Sequence, residues 1–81
     1  MTLSLARHAV ERECDSACSR YSKFASAHEG YAVILEEMDE LWAEVKKSPK
    51  NRDMAAMREE AVQVAAMALR FLIDVCDNPT E

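Results

Sequence analysis

The chain has one glycine and two prolines in 81 residues, too few turn-forming residues for a multi-stranded sheet. What remains is an all-α chain of one domain spanning residues 1–81. It lacks an apolar run of the roughly 18–20 residues a bilayer crossing needs, and its start, Met1-Thr-Leu-Ser-Leu-Ala-Arg7, lacks the charged head and long apolar stretch of a signal peptide. Three cysteines are an odd number, which does not suit a secreted disulfide scaffold and points to a reducing cytoplasm. Positive charge is in deficit, with a formal net charge of −5, which argues against nucleic acid as a partner and suits metal cations.

What the chain does have is 49% hydrophobic and 31% charged residues, patterned at helical spacing. The first helix is expected from about Thr2 to Phe24, with Leu3, Val10, Cys14, Ala17, Tyr21 and Phe24 as its apolar stripe. A break follows at about Ala25–Gly30, where Ser26-x-x-Glu29 reads as a capping box. The second helix is expected from Glu29 to Lys47. Its apolar face is Tyr31, Ile34, Leu35, Met38, Leu41, Trp42 and Val45, and Lys46 and Lys47 fall in its last turn, until Ser48-Pro49 ends it. The third runs from Asp53 to Cys76, with Asn78-Pro79 as its stop. From Ala61 onward it is apolar nearly all round, with a narrow polar strip of Glu59, Gln63, Arg70 and Asp74. A domain this small buries only about 60% of its unfolded surface, so a second copy, as a homodimer or homotetramer built through the second and third helices, is the expected cover.

Two acidic clusters carry the chemistry. Glu36 and Glu40 lie one turn apart on one side of the second helix, with Glu37 towards the edge of its apolar face. Glu60 borders the apolar surface of the third helix, with Gln63 beside it. A charge there is partly desolvated, and burying it unpaired is costly. If Glu60 meets Glu37 and Glu40 at about 5 Å, each like-charge pair costs roughly 3 kcal/mol at an effective dielectric of about 20. A cation must offset that. Arg52, Arg58 or Arg70 can supply one as an ion pair, or a hard divalent ion, Mg²⁺ or Mn²⁺, can take the oxygens as ligands. The pattern of residues leaves both open.

At these residues the chain resembles the MazG-like superfamily of all-α nucleoside triphosphate pyrophosphohydrolases, which carry Glu-Glu-x-x-Glu on one helix and Glu-Glu-x-x-Asp on the next. The first motif matches Glu36-Glu37-Met38-Asp39-Glu40 and the second Glu59-Glu60-Ala61-Val62-Gln63. The run from Arg58 to Leu69 is similar to small phage-type and bacterial members, and the likeness covers about Tyr21 to Val75. The departure is Gln63, an uncharged amide where the motif has Asp.

The resemblance implies a three-helix subunit of an oligomeric bundle that hydrolyses a nucleoside triphosphate to the monophosphate and pyrophosphate. Mg²⁺, or Mn²⁺ in its place, would be held by Glu37, Glu40 and Glu60 with the Gln63 carbonyl, and Glu36 or Glu37 would orient or deprotonate the attacking water. Lys46, Lys47, Lys50, Arg52 and Arg58, on or near the second connection, are the expected phosphate contacts, and equally suit ordinary solubilising charges. Tyr21, Lys23, Phe24 and His28, at the end of the first helix and in its following loop, are the residues the resemblance brings near the base.

Other features read as structural. Trp42, within the apolar face, is core or interface, and Met38, Met54, Met57 and Met67 are core filler. Cys14 and Cys18 sit one turn apart without the further ligands a zinc site needs. Arg70 and Asp74, four apart, read as a simple pair. Two rivals stand beside the hydrolase: a non-catalytic helical oligomer or adaptor on the same scaffold, and a nucleotide-binding regulator that hydrolyses slowly.

Overall fold

A computed structural model of the chain describes residues 1–77. They form three α-helices, α1 (Leu3–Arg20), α2 (Ala27–Val45) and α3 (Met54–Phe71), with a 3₁₀ turn over Pro49–Asn51 and a π-helical turn over Leu72–Cys76 continuing α3. No strand occurs among the described residues. The all-α expectation holds, and α3 is the central helix, packing against both α1 and α2.

Each helix starts on a side-chain cap. Thr2 Oγ1 accepts from the Leu5 N–H, and the Asp53 carboxylate accepts from Ala55 and Ala56. The capping box forms at Ser26: its hydroxyl accepts from the Glu29 N–H at 3.1 Å, while the Glu29 carboxylate accepts from the Ala25 N–H at 2.7 Å. That fixes α2 two residues earlier than periodicity predicts. Its far end also comes early, at Val45, leaving Lys46 and Lys47 beyond the last turn. The Arg52 guanidinium reaches back to cap it, donating from Nε and Nη2 to the Val45 carbonyl.

The first helix is shorter than expected, ending at Arg20 rather than Phe24. The cause is tertiary. Tyr21 is extended, and the residues after it are tied to the far end of the chain. The Ser22 carbonyl accepts from Arg70 Nη2 at 3.0 Å, and the Phe24 N–H donates to Asp74 Oδ2 at 3.2 Å. Helix-internal bonds are thereby exchanged for bonds to the α3 end. The third helix likewise gives up α geometry after Phe71, and the π turn carries Asp74. The expected stop at Asn78-Pro79 lies outside the described residues.

Arg70 and Asp74, read from sequence as part of a polar strip, are buried at 3% and 7% exposure. They do pair, Nη2 to Oδ2 at 3.7 Å, and the guanidinium also lies over the Phe24 ring, 4.3 Å from its centroid. Gly30 makes the adjoining approach possible: a Cβ there would stand 2.6 Å from Phe71 Cδ2, inside contact distance.

The buried core is small: Cys14, Ala17, Phe24, Ala66 and Met67, with Val10, Val33, Ile34, Leu69, Phe71 and Val75 packed on it. The expected apolar face of α2 is divided. Ile34, Leu41 and Val45 are half-buried, whereas Tyr31, Leu35, Met38 and Trp42 point to solvent. Trp42 is therefore not core within one chain, and of the four methionines expected as filler only Met67 is buried and Met57 half-buried. Leu3 on α1 and Tyr21 just past its end are exposed as well. The radius of gyration, 13.7 Å, exceeds the roughly 12 Å of a compact chain this long, so the three helices leave apolar surface uncovered. No described helix is long and apolar enough to cross a membrane.

Candidate metal centre

The packing of α2 on α3 brings both acidic clusters to one place. Glu37, Glu40 and Glu60 each offer a carboxylate oxygen, and the three oxygens lie within 4.8 Å of one another. Glu37 and Glu40 come from adjacent turns of α2, and Glu60 faces them from α3. Glu37 and Glu60 are half-buried, and each keeps one oxygen, Oε2, shut off from solvent with no hydrogen-bond partner. Such orphaned acceptors are uncommon in folded proteins, because each forfeits its hydration without return.

The electrostatics follow. Burial, then the neighbouring Glu40 carboxylate, raises the Glu37 carboxyl from its ordinary 4.5 to about 6. Glu60 is raised by burial first, then by a hydrogen bond its protonated form donates to Glu40 and by the Glu40 charge, with Glu59 and Glu44 adding repulsion. Glu40 thus stands between the two as a shared neighbour. None of the three ion-pair alternatives from the sequence is realised here: Arg70 serves Ser22 and Asp74, Arg52 caps α2, and Arg58 makes no ion pair among the described residues. A hard divalent cation fits what is left, three carboxylate oxygens and two acceptors without donors.

A cavity of about 460 Å³ opens beside this cluster and shares Glu37 with it. Three helical faces line it: Glu13, Ala17 and Arg20 of α1, Val33 and Glu36 with Glu37 of α2, and Gln63, Met67 and Arg70 of α3. The α1–α2 connection closes one side with Tyr21, Ser22 and Phe24. Glu40 and Glu60 do not line it. Gln63 is brought to the cavity wall, beside Glu36 and Glu37.

The remaining expected contacts divide. Tyr21 and Phe24 line the cavity, whereas Lys23 and His28 are exposed and do not. Lys46, Lys47, Lys50, Arg52 and Arg58 also lie outside its lining, and Lys47 pairs with Glu44 at 2.9 Å. The cations that line the cavity are Arg20 and Arg70. Arg20 is held by Glu13 at 3.1 Å and lies over the Tyr21 ring. Sequence reasoning passed over Arg20. Its spacing from Glu13 and Ala17 along α1, the same i, i+4, i+7 pattern as Gln63, Met67 and Arg70 on α3, was the available signal.

Fold and site together define an all-α chain with a carboxylate triad between two helices and a cavity alongside it. Compared with protein-family models, curated proteins and solved structures, the chain matches none.

Proposed function

We propose that the chain is a Mg²⁺-dependent nucleoside triphosphate pyrophosphohydrolase of the MazG-like kind, acting in the cytoplasm as a homo-oligomer. The observation that carries this reading is the convergence of Glu37, Glu40 and Glu60 with two orphaned, buried oxygens. Glu37, Glu40 and Glu60 hold the metal. A bound Mg²⁺ supplies Lewis-acid neutralisation of the phosphate oxygens. Glu36, exposed at the cavity rim beside Glu37, accepts a proton from the attacking water. The water oxygen bonds to the α-phosphorus, the bond from that phosphorus to the bridging oxygen breaks, and pyrophosphate leaves with the electron pair. Three free cysteines, one of them buried, suit a reducing compartment.

The stripe Tyr31, Leu35, Met38 and Trp42, spaced for one face of α2 and exposed, supports self-association through that helix. It serves a non-catalytic oligomer equally well, so the enzyme reading needs its own test. Pyrophosphate release is measured across ribo- and deoxynucleoside triphosphates with Mg²⁺ or Mn²⁺. Glu37→Ala and Glu60→Ala are expected to lower turnover by more than the roughly 10–100-fold that outer-shell changes at metal sites cost. No turnover by the wild type on any substrate sinks the hydrolase and leaves the oligomer.

A further inference from the structure

Cys14 and Cys18 lie outside both the carboxylate triad and the cavity lining. They stand one turn apart on α1, which places their Cβ atoms about 5–6 Å apart on one side of the helix. Cys14 is buried in the core with Ala66 and Met67 of α3, Cys18 is exposed, and neither is in a disulfide. Burial first, then Cys18, to which its thiol donates a hydrogen bond, pushes Cys14 up to about 11. The buried sulfur is therefore neutral while it keeps its proton.

An independent feature lies beside it. The Arg70 charge acts on Cys14 across the packing of α1 on α3. Arg70 is 3% exposed. It directs Nη1 to Met67 Sδ and Nη2 to Ser22 and Asp74, yet its Nε has no acceptor. A guanidinium only donates, and a neutral thiol accepts weakly, whereas a thiolate would meet that donor.

Metal coordination can supply the missing charge. Two thiols that release their protons to one monovalent cation leave a complex with one net negative charge. A divalent ion leaves none, and tetrahedral zinc requires four ligands. The carboxylate triad is the only group of three or more His, Cys, Asp or Glu among the described residues, so the pair has no third ligand of these kinds. Thiolates select soft ions such as Cu⁺. With metal–sulfur bonds of roughly 2.3 Å, two sulfurs in line about one ion span about 4.6 Å, which side chains one turn apart can reach. A disulfide needs the Cβ atoms at about 3.5–4.5 Å, so it would distort the turn holding Ala17, which is 1% exposed. Being neutral, it would also leave Arg70 Nε unmet.

We infer that Cys14 and Cys18 form a two-coordinate thiolate site for a soft monovalent cation of the Cu⁺ class, with Arg70 offsetting the charge of the complex. The site does not depend on the hydrolase reading. Loading it is balanced: Cu⁺ enters, two thiol protons leave, and no electron moves.

Anaerobic Cu⁺ titration of the full chain against bicinchoninate, a chromophoric Cu⁺ ligand, tests the site. One Cu⁺ per chain is expected, with two sulfur ligands by X-ray absorption and release of both protons. Cys76→Ser is expected to leave the affinity as it is. Cys18→Ser, also at an exposed position, is expected to lower it by more than about a hundredfold. Zn²⁺ at equal concentration is expected not to displace Cu⁺. The Arg70 Nε–H resonance is expected to shift on loading, which a site remote from the guanidinium would not produce. Binding unaltered by Cys18→Ser, one Cu⁺ shared by two chains, three or four ligands at the metal, displacement by Zn²⁺, or an unmoved Arg70 resonance overturns the inference. So does a chain that takes up no Cu⁺ but joins Cys14 to Cys18 when treated with hydrogen peroxide, which is a redox pair and not a metal site.

Discussion

Two buried charged regions lie along α3, and they are built on opposite terms. At its C-terminal end Arg70 and Asp74 are matched: the guanidinium meets a carboxylate, a backbone carbonyl and an aromatic face, and the carboxylate also takes a backbone N–H. Towards its N-terminal end Glu60 meets Glu37 and Glu40, three groups of one sign. The first arrangement closes the fold by holding the α1–α2 connection against α3. The second sets like charges against one another and raises the energy of the folded chain. Burial of charge therefore does not by itself mark a site; burial without a protein partner does.

The largest expected effect breaks the matched region. Asp74→Ala leaves Arg70 buried and unpaired and frees the Phe24 N–H, a loss of about 3–5 kcal/mol in urea unfolding. Glu60→Ala under the same conditions without metal is expected to be neutral or stabilising, because it removes repulsion. Destabilisation of similar size by both would erase the contrast.

Next in size is the metal itself. At a hundredfold excess over Kd, Mg²⁺ should stabilise the native chain by about 2.7 kcal/mol, read as a rise in melting temperature. The rise should persist in an Arg58→Ala chain and vanish in Glu37→Ala. Equal shifts in all three would mean that Mg²⁺ binds elsewhere.

The smallest concerns protons. Between pH 4.5 and about 6 the native Glu37 holds a proton that the unfolded chain has released, so raising the pH through this window lowers metal-free stability. The decline is about 2 kcal/mol, with Glu60 adding in the same direction. Glu37→Gln should flatten that slope, as should Mg²⁺, which competes with the proton for the carboxylates. A slope that survives Glu37→Gln assigns the effect to another group.

Much of this was legible beforehand. Ser26-x-x-Glu29 announced the start of α2 because a capping box is a local exchange of hydrogen bonds within four residues. Glu37 and Glu40 were marked by their places on α2 and Glu60 by its place at the apolar border of α3, and the resemblance implied that the three act together. The early end of α1 was not legible, since its cause is Arg70 and Asp74, about fifty residues away in the chain. Nor was the division of the α2 face, because an apolar stripe records which residues avoid water and not how many neighbours exist to cover them. The cavity walls escaped for the same reason. Arg20, Gln63 and Arg70 come from two helices whose facing angle no periodicity gives.

By itself the sequence determined the helical class, the three segments and the two acidic clusters, because each depends on spacing within a turn or two. Tertiary structure alone decided which charges are matched and which are stranded. That distinction depends on distances between helices, and a carboxylate becomes structural or available for a ligand only when the groups packed against it are known.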